Sequence, residues 1–463
     1  MTRWNLARYR PRFLGPRRVW WLLPRTDRRP DGNTLLVVVL FGIACLRLAT
    51  IAYTGLSTTL GDFFDTLPGP YAEQLNPTLW DSPEFVNDTA RSAGGHRHSY
   101  GYGPTQYLTL FPIVFLDSYR AIALMLLAGY TLIVLALPSL LWRISSSVLP
   151  TYSRNGWREW VVVGTAVFMF FPLLQALVQR EFEVVQLFML VLAVYLLINN
   201  REAASAAVIG YIALFKYWPL VLGGYFLLKR RWVALIVLAV TVSGLLLVAH
   251  LVFDLAYFPF SNTDGRESQF ARLYFGLGDS QLFCLTPTGT TATLRSGVCA
   301  IKTQLPWFPA LGAFWVLVFT AAVIFLSSFI ALERRGIPED SAAGRWRMVI
   351  EFSLIMMAAS ITVHSHYYYL AVLLIPLTVL LSRYFSDKTS GSRLGQVLTV
   401  VAYVLLSVFV LPLSVLSRLL GQDMWRVYLD NGLYLYGLLL LTGLLLWEYA
   451  ALAVKGPRLQ AAK

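Results

Sequence analysis

Residues Thr34–Tyr53 read TLLVVVLFGIACLRLATIAY, a run whose one charged residue is Arg47. A bilayer core of about 30 Å takes about 20 apolar residues as helix, so this run predicts a membrane span and an all-α fold. The composition agrees. Apolar residues make up 57% of the 463 and charged ones 14%, against about a quarter charged in a soluble domain, and the mean hydropathy is +0.60. Soluble enzymes are excluded on that balance, and the aromatic share of 14% excludes disorder. Three cysteines make neither a disulfide framework nor a Cys-rich metal site.

Further spans are expected at 119–141, 158–178, 182–199, 231–252, 307–330, 346–363, 367–383, 394–416 and 432–453. The apolar stretch 203–229 is interrupted by Lys216, Pro219 and Gly223-Gly224, and reads as two short segments, 203–216 and 217–229, that meet at the membrane face. The expectation is therefore a polytopic bundle of about twelve transmembrane helices over 34–453. A basic segment, 1–33, precedes it, and a tail, 454–463, follows. Residues 1–33 hold nine arginines and lack the short apolar core of a cleavable signal peptide. Cytoplasmic loops carry the excess of Lys and Arg. Placing the N-terminus inside also puts Arg143/Arg154/Arg158, Lys229-Arg230-Arg231, Arg334/Arg335/Arg345/Arg347, Arg383/Lys388/Arg393 and Lys455/Arg458/Lys463 inside. The net charge of +13 then reports topology and contact with anionic lipid headgroups, and needs no nucleic-acid partner. The inner face is expected to present mostly lipid-facing arginines. The Arg-rich start and the Trp content point to a bacterial cytoplasmic membrane.

Two long loops, 54–118 and 253–306, fall outside. The first carries Asp62, Asp65, Glu73, Asp81, Glu84, Asp88 and Asp117 against Arg91 and Arg97. The second holds Cys284 and Cys299, which are either paired or free. The short segment 105–116, with Pro112, is expected to lie at the interface or to re-enter it.

Ionisable residues in or beside spans are expensive and mark function. They sort to the outer side: His96, His98, His250, His364 and His366, with Arg47, Arg180, Glu181, Glu183 and Lys216. Asp62 and Asp65, three apart and just past the first span, can share a helical face, and one of them can act as a general base on a sugar hydroxyl; a helix cap or solvated acidic turn would use the same spacing. His364-Ser365-His366 joins two spans. Histidines two apart do not share a helix face, but in a turn they can contact phosphate oxygens or orient a base. Lys216, in Phe215-Lys216-Tyr217-Trp218-Pro219, stands where two short segments meet, a place suited to an anion. Arg180 can pair with Glu181 or Glu183. Tyr100-Gly101-Tyr102-Gly103-Pro104 is a pliable aromatic run fit to stack on a sugar ring.

In order, the acidic residue after the first span, Tyr100 to Pro104, Lys216 to Pro219 with Lys229-Arg230-Arg231-Trp232, and the late run Ser360 to Pro376 resemble glycosyltransferase family 87. That family belongs to the GT-C superfamily of polyprenyl-phosphate-sugar-dependent, mannosyltransferase-like enzymes. The resemblance implies Asp62 as catalytic base, with Asp65 as the neighbour that could take its place. It implies His366 or His364, with Lys216, Arg180 and Arg47, on the donor phosphate. Glu181, Glu183, His96, His98, Tyr100 and Tyr102 would line the substrate. It further implies inversion at the anomeric carbon, a lipid or glycan acceptor, and neither nucleotide sugar, metal nor other cofactor. Where many members show Gly-Gln-x-Asn, this chain has Arg180-Glu181-Phe182-Glu183, which bears on donor and acceptor choice. Two other classes fit the topology. A polyprenol-diphosphate glycan ligase or polymerase would rely on Arg266, Arg272 and Arg295. A transporter or flippase would show inverted repeats and polar residues at mid-membrane.

Overall fold

The computed structural model describes residues 32–55, 105, 109, 119–149, 156–179, 181–216, 218–253, 284, 294–362, 367–386, 393–407, 413–421, 427–428 and 431–455. About nine-tenths of the described residues are helical, with no strand among them. In chain order the helices are α1 (Gly32–Gly55), α2 (Tyr119–Val148), α3 (Trp157–Met169), α4 (Phe171–Gln179), α5 (Glu183–Ile198) and α6 (Glu202–Lys216). A 3-10 turn (Trp218–Leu222) leads into α7 (Gly223–Leu228), α8 (Trp232–Phe253), α9 (Leu294–Gln304), α10 (Ala310–Arg335) and α11 (Ala342–Thr362). A second 3-10 turn (Tyr367–Leu373) leads into α12 (Leu374–Ser386), α13 (Arg393–Leu406), α14 (Leu413–Leu420) and α15 (Leu433–Lys455).

Among the described residues, α2, α10 and α15 are long and apolar enough to cross a bilayer alone, and α3 with α4 makes a fourth candidate, bent by 56°. Together with the shorter apolar helices, these make an all-helical membrane protein. The expected pair of short segments at 203–229 is present as α6 and the 3-10 turn with α7. At a rise of 1.5 Å per residue α6 is about 22 Å long, short of the roughly 30 Å core. Two expectations change. The segment 158–178 is not one straight helix, and 394–416 is divided between α13 and α14. Pro172 explains the first, since a proline lacks the N–H that would continue the ladder and its ring crowds the preceding turn; the residues 408–412 that join α13 to α14 lie outside the described ones.

The apolar core runs between α2, α3, α4, α5, α11, α12 and α15. Leu137, Leu141, Leu173, Leu187, Leu190, Ile350, Phe352, Leu377 and Leu441 in it are fully buried. α10 lies at the edge. Only 11% of its apolar window is buried, and Val316, Phe319, Val323 and Ile330 face outward.

At the end of the bundle where α5 meets α6 and α7 meets α8, two turns pass through left-handed residues, Asn200 (φ 57°) and Arg230 (φ 53°). The N–H of Arg231 reaches the carbonyl of Phe226 at 2.8 Å, and that of Arg230 reaches Leu227 at 3.0 Å, a helix-ending pattern that satisfies orphan carbonyls. This turn aims its flanking cations in different directions. Lys229 Nζ lies 2.7 Å from Glu333 and 3.0 Å from Glu351, and Arg347 contacts the same two carboxylates at 2.5 and 2.7 Å. Tyr449 donates to Glu351 at 2.6 Å. Arg231 pairs with Glu202 and Glu339, and Arg383 with Glu448, which also accepts from Tyr384 at 2.7 Å. The Phe329 ring takes both Lys229 and Arg347 against its face.

This corrects the expectation of mostly lipid-facing cations at this end. The side chains of Lys229, Arg231 and Arg347 are only 5%, 8% and 7% exposed. A cation held away from water is tolerated only when paired, and the glutamates on α6, α10, α11 and α15 supply the partners. Arg230, Arg334 and Arg335 remain exposed. Removing one partner of a buried pair leaves an uncompensated charge, at a cost of about 3–5 kcal/mol, whereas an exposed pair contributes about 0–1 kcal/mol. Glu351→Ala is therefore expected to lower the thermal unfolding temperature in detergent far more than Glu339→Gln, whose carboxylate is half exposed.

Candidate functional site

Opposite that end, several elements meet at the break between α3 and α4. Phe170 leaves the helix with φ −75° and ψ 104°, and α4 resumes with Pro172 in its first turn. α1 packs along both halves of the bent pair, and Arg47 Nη1 lies 3.8 Å from Met169 Sδ, the last residue before the break. The Tyr367 and Tyr403 hydroxyls are in electrostatic range of Arg47. The Tyr367 ring packs against Phe171 with centroids 5.7 Å apart, and its hydroxyl donates to the carbonyl of Leu406 at 2.5 Å. Tyr367 opens the 3-10 turn that follows His364 and His366 in the chain, and this turn packs on α4 and α5. Counted along α1, α3 and α13 from their starts, Arg47, Met169 and Ser407 each lie about 20 Å along the helix, within a core of about 30 Å.

The α4–α5 turn borders the same region. Glu181 and Glu183 are 4% and 2% exposed. The turn is tight, with the N–H of Glu181 on the carbonyl of Ala176 at 2.8 Å. Between the two glutamates, Phe182 packs on Tyr130 and on Phe215, the residue before Lys216. Phe215 in turn meets Tyr211, whose hydroxyl is 2.5 Å from Thr109 Oγ1. Thr105, directly after the Tyr100–Pro104 run, is fully buried. Thr109 thus reaches the side of α6; apart from it and Thr105, the segment 105–116 lies outside the described residues.

A second line of contacts leads outward. Tyr428 packs edge-on against Tyr367 and donates to the carbonyl of Leu405 at 2.8 Å. It meets Tyr434 at 6.1 Å, and the Tyr434 hydroxyl is 2.8 Å from Ser296 Oγ on α9. One turn further, Cys299 is joined to Cys284, with Cα atoms 5.5 Å apart, which answers the question the sequence left open.

Of the expected site residues, the structure brings Arg47 to the helix break and places Glu181 in the buried turn beyond α4 and Glu183, also buried, at the first position of α5. Lys216 ends α6, and its side chain lies outside the described residues. Asp62, Asp65, His96, His98, Tyr100, Tyr102, Arg180, His364 and His366 lie outside them too, as do Arg266 and Arg272. Arg295 is half-buried on α9 and His250 is exposed near the end of α8. Tyr403, Ser407 and Tyr428 were not expected here. The one sequence signal for them is Phe170-Phe171-Pro172, a break inside an apolar run that needs polar partners from a neighbouring helix. Chemically, the phenol protons of Tyr367, Tyr403 and Tyr428 are committed to backbone carbonyls. Arg47 supplies the charge, and a guanidinium in such apolar surroundings suits an anionic oxygen.

Residues 100–271 match the model of glycosyltransferase family 87. The match implies a glycosyltransferase, a membrane enzyme that uses a sugar donor and an acceptor. The matched residues take in Tyr100, Tyr102, Arg180, Glu181, Glu183 and Lys216, along with the Lys229–Arg231 turn. Arg47, Asp62, Asp65, His96, His98, His364 and His366 fall outside it. No curated protein and no solved structure matches the chain.

Closing a loop of this length with a disulfide is worth about 3 kcal/mol in the chain-entropy model. The Cys284→Ser/Cys299→Ser double variant is expected to unfold at lower temperature. Thiol titration of the denatured, unreduced wild-type chain is expected to find one thiol, that of Cys45.

Proposed function

We propose that this chain transfers one mannose-like hexose from a polyprenyl-phosphate sugar to a lipid or glycan acceptor on the non-cytoplasmic face of a bacterial cytoplasmic membrane. In this reading about twelve spans enclose the site and both termini are cytoplasmic. The polyprenyl chain lies in the bilayer with its phosphate at the outer side. His366 or His364, with Lys216, Arg180 and Arg47, neutralises that phosphate. The acceptor oxygen attacks the anomeric carbon from the opposite face. As the new C–O bond forms, the bond to the phosphate oxygen breaks, the leaving polyprenyl phosphate keeps the electron pair, and the carboxylate of Asp62, or of Asp65, takes the acceptor proton. Configuration inverts. Glu181, Glu183, His96, His98, Tyr100 and Tyr102 line the sugar and acceptor. Stabilising charge as it develops on a leaving group is commonly a large part of catalysis.

The observation that carries the reading is the family 87 match over residues 100–271. Three facts support the details. Arg47 stands against the helix break, beside the turn that follows His364 and His366. The Lys216 end of α6 is one residue from Phe215, which packs on the Glu181–Glu183 turn. The disulfide at 284–299 suits an oxidising compartment, and the basic character of the other loops suits the opposite, cytoplasmic side. A second reading, transfer of an oligosaccharide from a polyprenyl diphosphate, draws on Arg295, which sits on the disulfide-anchored helix beside Ser296.

The test is purified protein in detergent with a panel of polyprenyl-phosphate sugars and a mixed lipid extract as acceptor source. Release of polyprenyl phosphate is expected for one or a few sugars. A positioned general base contributes at least about a hundredfold, so Asp62→Asn is expected to lose at least that much transfer while folding normally. Loss in Asp65→Asn instead would move the base by three residues. Full activity in both would overturn the reading.

A further inference from the structure

The break between α3 and α4 leaves backbone groups inside the span without helical partners. In hydrocarbon such groups must be satisfied by protein, and two side chains of α13 and its end do so. Ser407, fully buried, accepts from the N–H of Phe171 at 3.0 Å and donates to the carbonyl of Met169 at 2.9 Å, so one hydroxyl spans both lips of the break. Tyr403 donates to the carbonyl of Ala166 at 2.7 Å, one turn earlier. The lip that Ser407 holds is Met169, against which Arg47 rests. The residue before Ser407, Leu406, is the acceptor for Tyr367. Apolar packing alone would require neither hydroxyl. Their placement ties the bend angle, the Arg47 guanidinium and the turn after His366 to the same end of α13.

We propose that Ser407 and Tyr403 are positioning residues for sugar transfer: they fix the α3–α4 bend and through it the place of Arg47 and of the turn that follows His364 and His366, opposite the donor phosphate. This rests on the transferase reading above, although the strap itself does not. Loss of the strap lets the bend relax, so Arg47 meets the phosphate less well and the donor KM rises.

The experiment combines kinetics with amide exchange on the full chain in detergent. Ser407→Ala is expected to speed exchange across 166–173 and to raise the donor KM about tenfold, with Tyr403→Phe showing a smaller rise. A fault that only reduced the folded fraction would lower the rate per mole of protein and leave KM unchanged. In a double-mutant cycle, Ser407→Ala and Arg47→Gln are expected to combine well short of additively, while Ser407→Ala and Glu339→Gln, at opposite ends, add. Unchanged exchange in Ser407→Ala, or additivity with Arg47→Gln, would overturn the proposal. If wild-type protein transfers sugar from no polyprenyl-phosphate donor, the transferase reading fails. Faster exchange in Ser407→Ala would then show a strap of structural use only, and the positioning role would fall.

Discussion

Backbone amides in a bilayer have no water to turn to, and that constraint shapes the half of this protein opposite the ion-pair network. An unbroken helix meets it internally. At Phe170 the ladder stops, Pro172 cannot restart it with an N–H, and the groups left over are taken up by Ser407 and Tyr403. Because both come from α13 and its end, the bend fixes how α13 lies against α3. Because the carbonyls of Leu405 and Leu406 at the same end accept from Tyr428 and Tyr367, it also fixes where the second 3-10 turn sits. Among the described residues, Arg47 on α1 stands beside the break.

The other end obeys the same physics with different groups. Lys229, Arg231, Arg347 and Arg383 are drawn in among five glutamates rather than spread toward lipid. Such buried pairs are seldom large sources of stability, since desolvation offsets most of the attraction. What they supply is register. Lys229 can meet Glu333 and Glu351 together only if the α7–α8 turn, the end of α10 and the start of α11 come to one point. One end is thus closed by charge. At the other, hydroxyls hold the backbone of a bend, and Arg47 rests against it.

Some of the surroundings of the helix break were legible in the chain. Arg47 stands out because a lone arginine within twenty apolar residues has no inexpensive place in lipid, and it is half-buried against Met169. The Lys216-to-Pro219 run marked a reversal, and the reversal is there. Glu181 and Glu183 announced a turn between spans, and they occupy one. By contrast, Ser407 and Tyr403 are ordinary residues of an apolar helix when read alone, and their role depends on a break 230-odd positions earlier. The pairing of Lys229 and Arg231 was hidden for a similar reason. Basic runs at loop ends report sidedness, but whether such a run meets lipid or carboxylate is set by helices far away in sequence.

The amino-acid sequence by itself determined a helical membrane protein, the short double segment at 203–229 and the likeness to a glycosyltransferase family. Those follow from local quantities: apolar run length, the positions of proline and glycine, and the rarity of charge in lipid. Only the tertiary structure decided that 158–178 bends, that its freed backbone is held by α13, that Cys284 and Cys299 are joined, and that the cations of one end are buried in ion pairs. Each is a contact between residues distant in the chain. A hydrogen bond or ion pair forms where packing brings its two partners within about 3 Å, a distance that neither partner's own neighbourhood in sequence specifies.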